Sequence, residues 1–149
     1  MNITNFKEFK PVGKQKKKKQ IVLIHSSRPA DDYLEKLRYR NNGNYTKIPN
    51  YLVSKKGKVI KLLDDQEYSN IFTQENINKN SIVVCLENLG WLEKEPLKNS
   101  YINWIGNIYT GEVVEKKWRD YFIWQPYSSE QMDSLVELCG VLMKKFKMN

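Results

Sequence analysis

Histidine is almost missing from this sequence. His25 is the only one in 149 residues, so any chemistry that needs several imidazoles cannot come from this chain alone. Cysteine is nearly as scarce. Cys85 and Cys139 do not make a disulfide framework, and reduced thiols in a cytoplasm are the simpler reading. No apolar run approaches the length of a membrane span. Met1 to Gln20 has no apolar stretch of the signal-peptide kind. Acid is in short supply: 17 Asp and Glu face 25 Lys and Arg, for a net charge of +8 and a pI near 9.4. That balance favours contact with something anionic, such as nucleic acid, a membrane surface or a bacterial wall polymer. No internal repeat is visible.

What remains is enough for one globular domain with a real core, since 40% of residues are apolar and 28% charged. Much of the positive excess is local. Lys14 and Lys16 to Lys19 stand together in "KQKKKKQ". Like charges in a row repel, so residues 1–20 are expected to form a basic, mobile arm ahead of a folded domain at 21–149. The run has no interleaved aromatics. It therefore offers salt-dependent attraction to phosphates or wall polymer but no reading of bases, which argues against a nucleic-acid partner.

The elements follow from pattern. "IVLIHSS", Ile21 to Ser27, reads as a strand buried on both faces. "RPADDYLEKLRYR" reads as a helix, with Pro29 in its first turn, Asp31 and Asp32 at its positive end and a stripe of Tyr33, Leu34 and Leu37. "IPNYLVSKKGKVIKLL" reads as a hairpin turning at Lys55-Lys56-Gly57. "DDQEYSNIFTQENINKN" is polar and loop-like. "SIVVCLENLGW" reads as a buried central strand, and "GEVVEKKWRDYFIWQPY" as an aromatic hairpin. A last helix starts at Ser128 or Ser129 and repeats Met132, Leu135, Val136, Cys139, Leu142, Met143 and Phe146. The expected fold is α/β, a mixed central β-sheet flanked by helices.

His25 would end a core strand at its carboxyl edge, where ligands gather in α/β sheets. A neutral imidazole there can ligate zinc, and the small Ser26 and Ser27 leave room for a substrate. The alternative is a buried, hydrogen-bonded histidine with no ligand.

Taken in order, "IVLIHSS", "NYLVSKKGKVIKLL", "NSIVVCLENLG" and "PYSSEQMDSLVELCGVLMKKF" resemble the zinc-dependent type 2 N-acetylmuramoyl-L-alanine amidases. Peptidoglycan recognition proteins and amidase-type phage lysozymes share that fold. The aromatic segment from Tyr101 to Gln131 looks most like phage-encoded members. The resemblance implies hydrolysis of the amide between N-acetylmuramic acid and L-alanine in bacterial peptidoglycan, with His25 as the first zinc ligand. It also implies two further ligands, a second His and a Cys or Asp, normally placed after the last helix. This chain stops at Asn149, so the expectation is a domain truncated at its C-terminus, its site completed by a C-terminal segment or a partner chain.

Cys85 stands where many relatives carry a catalytic Glu, and Glu87, two residues on, is a replacement carboxylate. Asn50 stands where several relatives have a His beside the hairpin Tyr51. Ser26, Ser27, Asn50 and Tyr51 are thus candidate substrate contacts. Trp104 and Trp124 are candidates for stacking on sugar rings, although they and Trp118, Tyr121 and Tyr127 could equally pack as a hairpin core. The implied setting is a phage protein made in host cytoplasm without a signal peptide, acting on the wall after release or as part of a virion. The alternative is a non-catalytic module that binds peptidoglycan or another partner on the same fold.

Overall fold

The structure is a computed structural model that describes residues 1–149. In chain order the elements are β1 (Ile3–Asn5), β2 (Gly13–Lys14), β3 (Gln20–His25), α1 (Ala30–Tyr39), β4 (Tyr51–Val53), β5 (Val59–Lys61), β6 (Glu67–Tyr68), α2 (Glu75–Asn80), β7 (Ser81–Leu86), β8 (Glu93–Lys94), β9 (Tyr101–Ile102), β10 (Ile108–Tyr109), β11 (Val114–Trp118), β12 (Tyr121–Trp124) and α3 (Ser129–Phe146). The main sheet runs β1-β5-β4-β7-β3. It is mixed: β4 and β5 are antiparallel, as the short turn with Gly57 at φ 76° requires, while β4, β7 and β3 run parallel. This is the α/β architecture that the pattern implies.

Side chains alternate across the sheet with period two, and each face meets its own helix. Tyr51, Val53, Val59, Ile82, Val84 and Leu86 pack with Leu135, Leu138 and Leu142 of α3. Leu52, Ile60 and Cys85 point the other way, onto Ala30 and Leu37 of α1. β7 is buried at all six positions, so its unbroken apolar run fits a central strand covered on both faces.

β3 differs from its expectation. Its run is as apolar as that of β7, yet it is one of the two edge strands of the sheet, and Leu23 is half exposed. Apolarity reports burial on average and does not say which strand has a neighbour on each side. The polar stretch after β5 also differs, because it folds back as β6 and α2. In α3 the buried stripe is Gln131, Leu135, Leu138 and Leu142, while Val136 and Met143 face outward. The helical period was legible, but the phase was shifted because a glutamine leads the buried face. The aromatic hairpin forms as a separate two-stranded ribbon of β11 and β12 and does not extend the main sheet.

Residues 1–20 are not a free arm in the structure. β1 is the other edge of the main sheet, parallel to β5, and β2 pairs with β6. Ile3, Phe6 and Phe9 pack on the two cores, so the apolar residues ahead of the lysine run anchor the segment. Lys18 turns inward and is buried. Its Nζ donates to the carbonyls of Glu67 and Lys79 at 3.3 and 3.0 Å, above the ring of Tyr68. Burial pushes this ammonium down to about 8, against the pull of the Asp65 charge.

Asp65, buried between the sheet and α3, ties distant segments together. It accepts the Tyr51 hydroxyl and lies 2.6 Å from Lys145 and 3.4 Å from Lys61. Burial alone would raise its pKa. The hydrogen bonds from Lys145 and Tyr51 and the Lys61 charge outweigh this and hold the carboxyl below its ordinary range. A carboxylate with a depressed folded pKa stabilises above the unfolded value and stops doing so as pH falls through the folded one. Asp65→Ala should therefore cost about 1–3 kcal/mol at neutral pH, because it removes the ionised carboxylate that Lys145, Tyr51 and Lys61 share and strands the buried Tyr51 hydroxyl. Urea titrations over a pH series check this: the gap between wild type and variant should narrow in acid.

Candidate functional site

β3 delivers His25 to the carboxyl edge of the sheet, with its side chain exposed. The chain then turns sharply through Ser27 at φ 57°. The Ser27 hydroxyl lies 3.2 Å from His25 Nδ1, and no protein group is bonded to Nε2. Which ring nitrogen carries the proton depends on the direction of the Ser27 hydroxyl. Burial of part of the ring pushes the imidazole pKa down, which keeps it neutral at pH 7.

Beside the ring is an open cavity of about 420 Å³, within the range of small-ligand sites. His25, Asn88, Gly90, Trp124, Gln125 and Tyr127 supply most of its wall. The wall is tightly zipped. Asn88 accepts from the Gly90 amide at 2.8 Å and donates to the Gln125 carbonyl at 3.1 Å. Gln125 accepts from the Leu89 amide at 2.6 Å. Gly90, at φ 80°, has to be glycine: a Cβ there would stand 3.3 Å from His25 Cε1, in a backbone conformation that side chains avoid.

Of the candidate site residues, His25, Ser27 and Trp124 come together here. Trp124 lines the cavity and donates its indole N–H to the Lys116 carbonyl at 2.8 Å. Trp104 stands on the other side of the turn, half exposed, with its indole N–H 2.8 Å from the Ser27 carbonyl and the Arg28 guanidinium 5.2 Å from its ring. It therefore holds the turn while staying half exposed. Ser26 is set within the turn itself. It is buried, donates to the Arg28 carbonyl at 2.5 Å and accepts from the Asn88 amide at 3.2 Å, fastening the loop.

The other four candidates belong to the framework. Asn50 is buried with its amide fully used: it donates to the carbonyls of Asp64 and Glu67 and accepts from the Val83 amide. Tyr51 is buried and committed to Asp65. Cys85 fails on geometry. Register sets His25 beside Leu86 and Cys85 beside Ile24, so the thiol and the imidazole lie on opposite faces of the sheet. The thiol is fully buried and burial pushes it up to about 12, the reverse of a reactive cysteine. Glu87 lies beyond the end of β7, and both its oxygens are taken. They accept from the backbone amides of Ala30 at 2.9 Å and Lys55 at 2.6 Å. α1 has no side-chain cap of its own, and Glu87 supplies one from across the sheet.

A catalytic zinc takes three protein donors. No three His, Cys, Asp or Glu side chains are arranged to hold a metal, and His25 is a solitary donor. The residues present do not fit a resident zinc. Asn88, Gly90 and Gln125 escaped the sequence reading. The one signal for them was position: they follow a buried strand and precede a helix, at the sheet edge that His25 marks.

The family model described as N-acetylmuramoyl-L-alanine amidase matches residues 14–149. The chain belongs to this family. Solved structures share its fold. An endolysin N-acetylmuramoyl-L-alanine amidase, LysCS from Clostridium intestinale, superposes with TM-score 0.59 at 12% identity, covering 99% of this chain and 76% of its own. The amidase AmiD of E. coli, solved with the substrate anhydro-N-acetylmuramic acid-L-Ala-D-γ-Glu-L-Lys, gives 0.56 at 17% identity, covering 95% of this chain and 49% of its own. Peptidoglycan recognition protein 1 of Manduca sexta gives 0.58 at 11% identity, covering all of this chain and 75% of its own. Compared by sequence with curated proteins, the chain matches none. No helix is long and apolar enough to cross a membrane.

Two outcomes follow from the framework assignments. A thiol reagent applied to the native protein should label the half-buried Cys139 well before Cys85, which should react only on unfolding; mass spectrometry of the labelled peptides checks this. Glu87→Ala should lower stability by about 2 kcal/mol, because two amide donors lose their acceptor, as read by denaturant unfolding.

Proposed function

We propose that the protein binds the N-acetylmuramoyl-peptide unit of bacterial peptidoglycan in the His25 cavity. The observation that carries this is an exposed imidazole set in an open, aromatic-walled cavity on an amidase-family fold. Trp124 and Tyr127 line the cavity and offer aromatic surface to a sugar, the zipped backbone around Gly90 offers fixed polar edges to a peptide, and His25 lines the same space.

Hydrolysis of the muramoyl-alanine amide is the second reading, favoured by the unbonded Nε2 and by family membership. It needs two more donors than this chain sets beside His25, and a further segment or a partner chain would bring them. The zinc-dependent amidase activity, and a phage setting in lysis or entry, belong to this reading. The likeness to an endolysin supports the setting.

Titration with soluble muramoyl-tripeptide, followed by tryptophan fluorescence, tests the binding. Wild type should saturate. His25→Ala and Trp124→Ala should each weaken binding about tenfold, which corresponds to about 1.4 kcal/mol. After dialysis against trace zinc the protein should hold well under one equivalent and release no peptide from walls. Stoichiometric zinc with peptide release would establish the hydrolytic reading instead, and absence of tripeptide binding would refute the first.

A further inference from the structure

Six of the eight net positive charges lie in Met1–Gln20, which carries seven lysines and the single acid Glu8. Because this segment is docked, those charges are displayed in order. Backbone bonds from Val12 to Tyr68, Gln15 to Gln66 and Lys19 to Asn80 fix its path. Lys18 turns in as an anchor, and Lys14, Lys16, Lys17 and Lys19 are left exposed. Lys14 has the Glu67 carboxylate at 3.6 Å, whereas Lys16, Lys17 and Lys19 have no acidic partner. Holding like charges in a row on fixed backbone is repulsive, and a polyanion laid along the row relieves that repulsion. The chain bends at Lys16 between β2 and β3, so the stretch from Lys14 to Lys19 spans at most about 17 Å, still enough for more than one charge of a linear polymer. No aromatic ring alternates with these lysines, so the row lacks the stacking platforms of single-stranded nucleic-acid sites.

We propose that this lysine row is a docking track for a phosphodiester polymer of the bacterial wall, separate from the His25 cavity. The choice of a wall polymer rests on the peptidoglycan reading above. The separation does not, because the track enters β3 at Gln20 and the cavity lies at the far end of the same strand. Six residues of extended strand put about 20 Å between Lys19 and His25. A polymer on the track leaves the cavity open, so the two sites can engage one wall together.

The test uses the full chain and the triple variant Lys16→Glu, Lys17→Glu, Lys19→Glu, with thermal unfolding as the check on folding. Three probes are titrated over a salt series: purified poly(glycerol phosphate), single-stranded DNA of equal phosphate count, and soluble muramoyl-tripeptide. Wild type should bind poly(glycerol phosphate) at least as tightly as the DNA. The variant should lose at least tenfold on the polymer, with a log–log salt slope shallower by about 2, and keep its tripeptide affinity. Sacculi stripped of phosphate polymer should retain less wild-type protein than intact ones. Equal binding of the polymer by wild type and variant would overturn the proposal, and so would tighter binding of DNA than of the polymer. A wild-type protein that takes the polymer but not the tripeptide upholds the track and overturns the cavity reading.

Discussion

The carboxyl end of β7 holds this molecule together. Three successive polar features leave that buried strand, and each fastens a different part of the structure. The Glu87 carboxylate caps α1 and catches the β4–β5 turn through two backbone amides. The Glu87 carbonyl, with that of Val53, accepts the side-chain amide of Gln131 and so seats the start of α3 on the sheet. Asn88 binds the Gln125 segment and shapes the wall beside His25. The Gln131 amide is fully buried and its oxygen has no partner, a cost that the two donated bonds and the docking of α3 must offset. Cleft and core are therefore one construction, and the wall of the cavity is as rigid as the junction of both helices with the sheet.

This explains which parts of the molecule were legible in the sequence. Periodicity reports elements, and it located the main strands, the hairpin and the last helix, although it set Val136 and Met143 on the buried side of that helix. His25 was legible as a residue at a strand end because a polar residue after four apolar ones marks an exit from the core. Periodicity does not report neighbours. β3 and β7 carry nearly the same composition, and nothing local says that one is an edge. Nor does a charge run report its anchors: the lysines suggest a free arm, while Ile3, Phe6 and Phe9, isolated apolar residues in a polar stretch, hold the segment down.

The candidates that the structure sets in the framework share one feature. Cys85 and Glu87 suggest chemistry because thiols and carboxylates do chemistry, but reactivity depends on what surrounds the group. Parity decided the matter for Cys85, since residues paired in register share a face and its partner is Ile24 rather than His25. Satisfaction decided it for Glu87 and Asn50, whose polar atoms are consumed by backbone groups that would otherwise be stranded. Polar residues beside a cleft thus divide into those that build it and those that face it, and the count of unsatisfied atoms separates them. By that measure His25, with one free nitrogen, faces the cavity, while Ser26, Asn50 and Glu87 build the frame.

Family membership and local chemistry pull in different directions here, and the sheet shows why both can hold. The fold needs the β7 junction, the helix caps and the alternation of faces, and all of these are present without three side chains set to hold a metal. A fold can persist while the site grafted on it changes, because packing and catalysis draw on different side chains. Recognition asks less of the site than hydrolysis does: shape, a few fixed hydrogen-bonding edges and ring faces suffice. In the proposed reading the lysine track adds what a shallow cavity lacks, a second attachment held at a fixed distance by β3. Two weak contacts on one wall then act as a single stronger one, because the first raises the effective concentration of the second, and the stiffness of the strand determines whether both can be made at once.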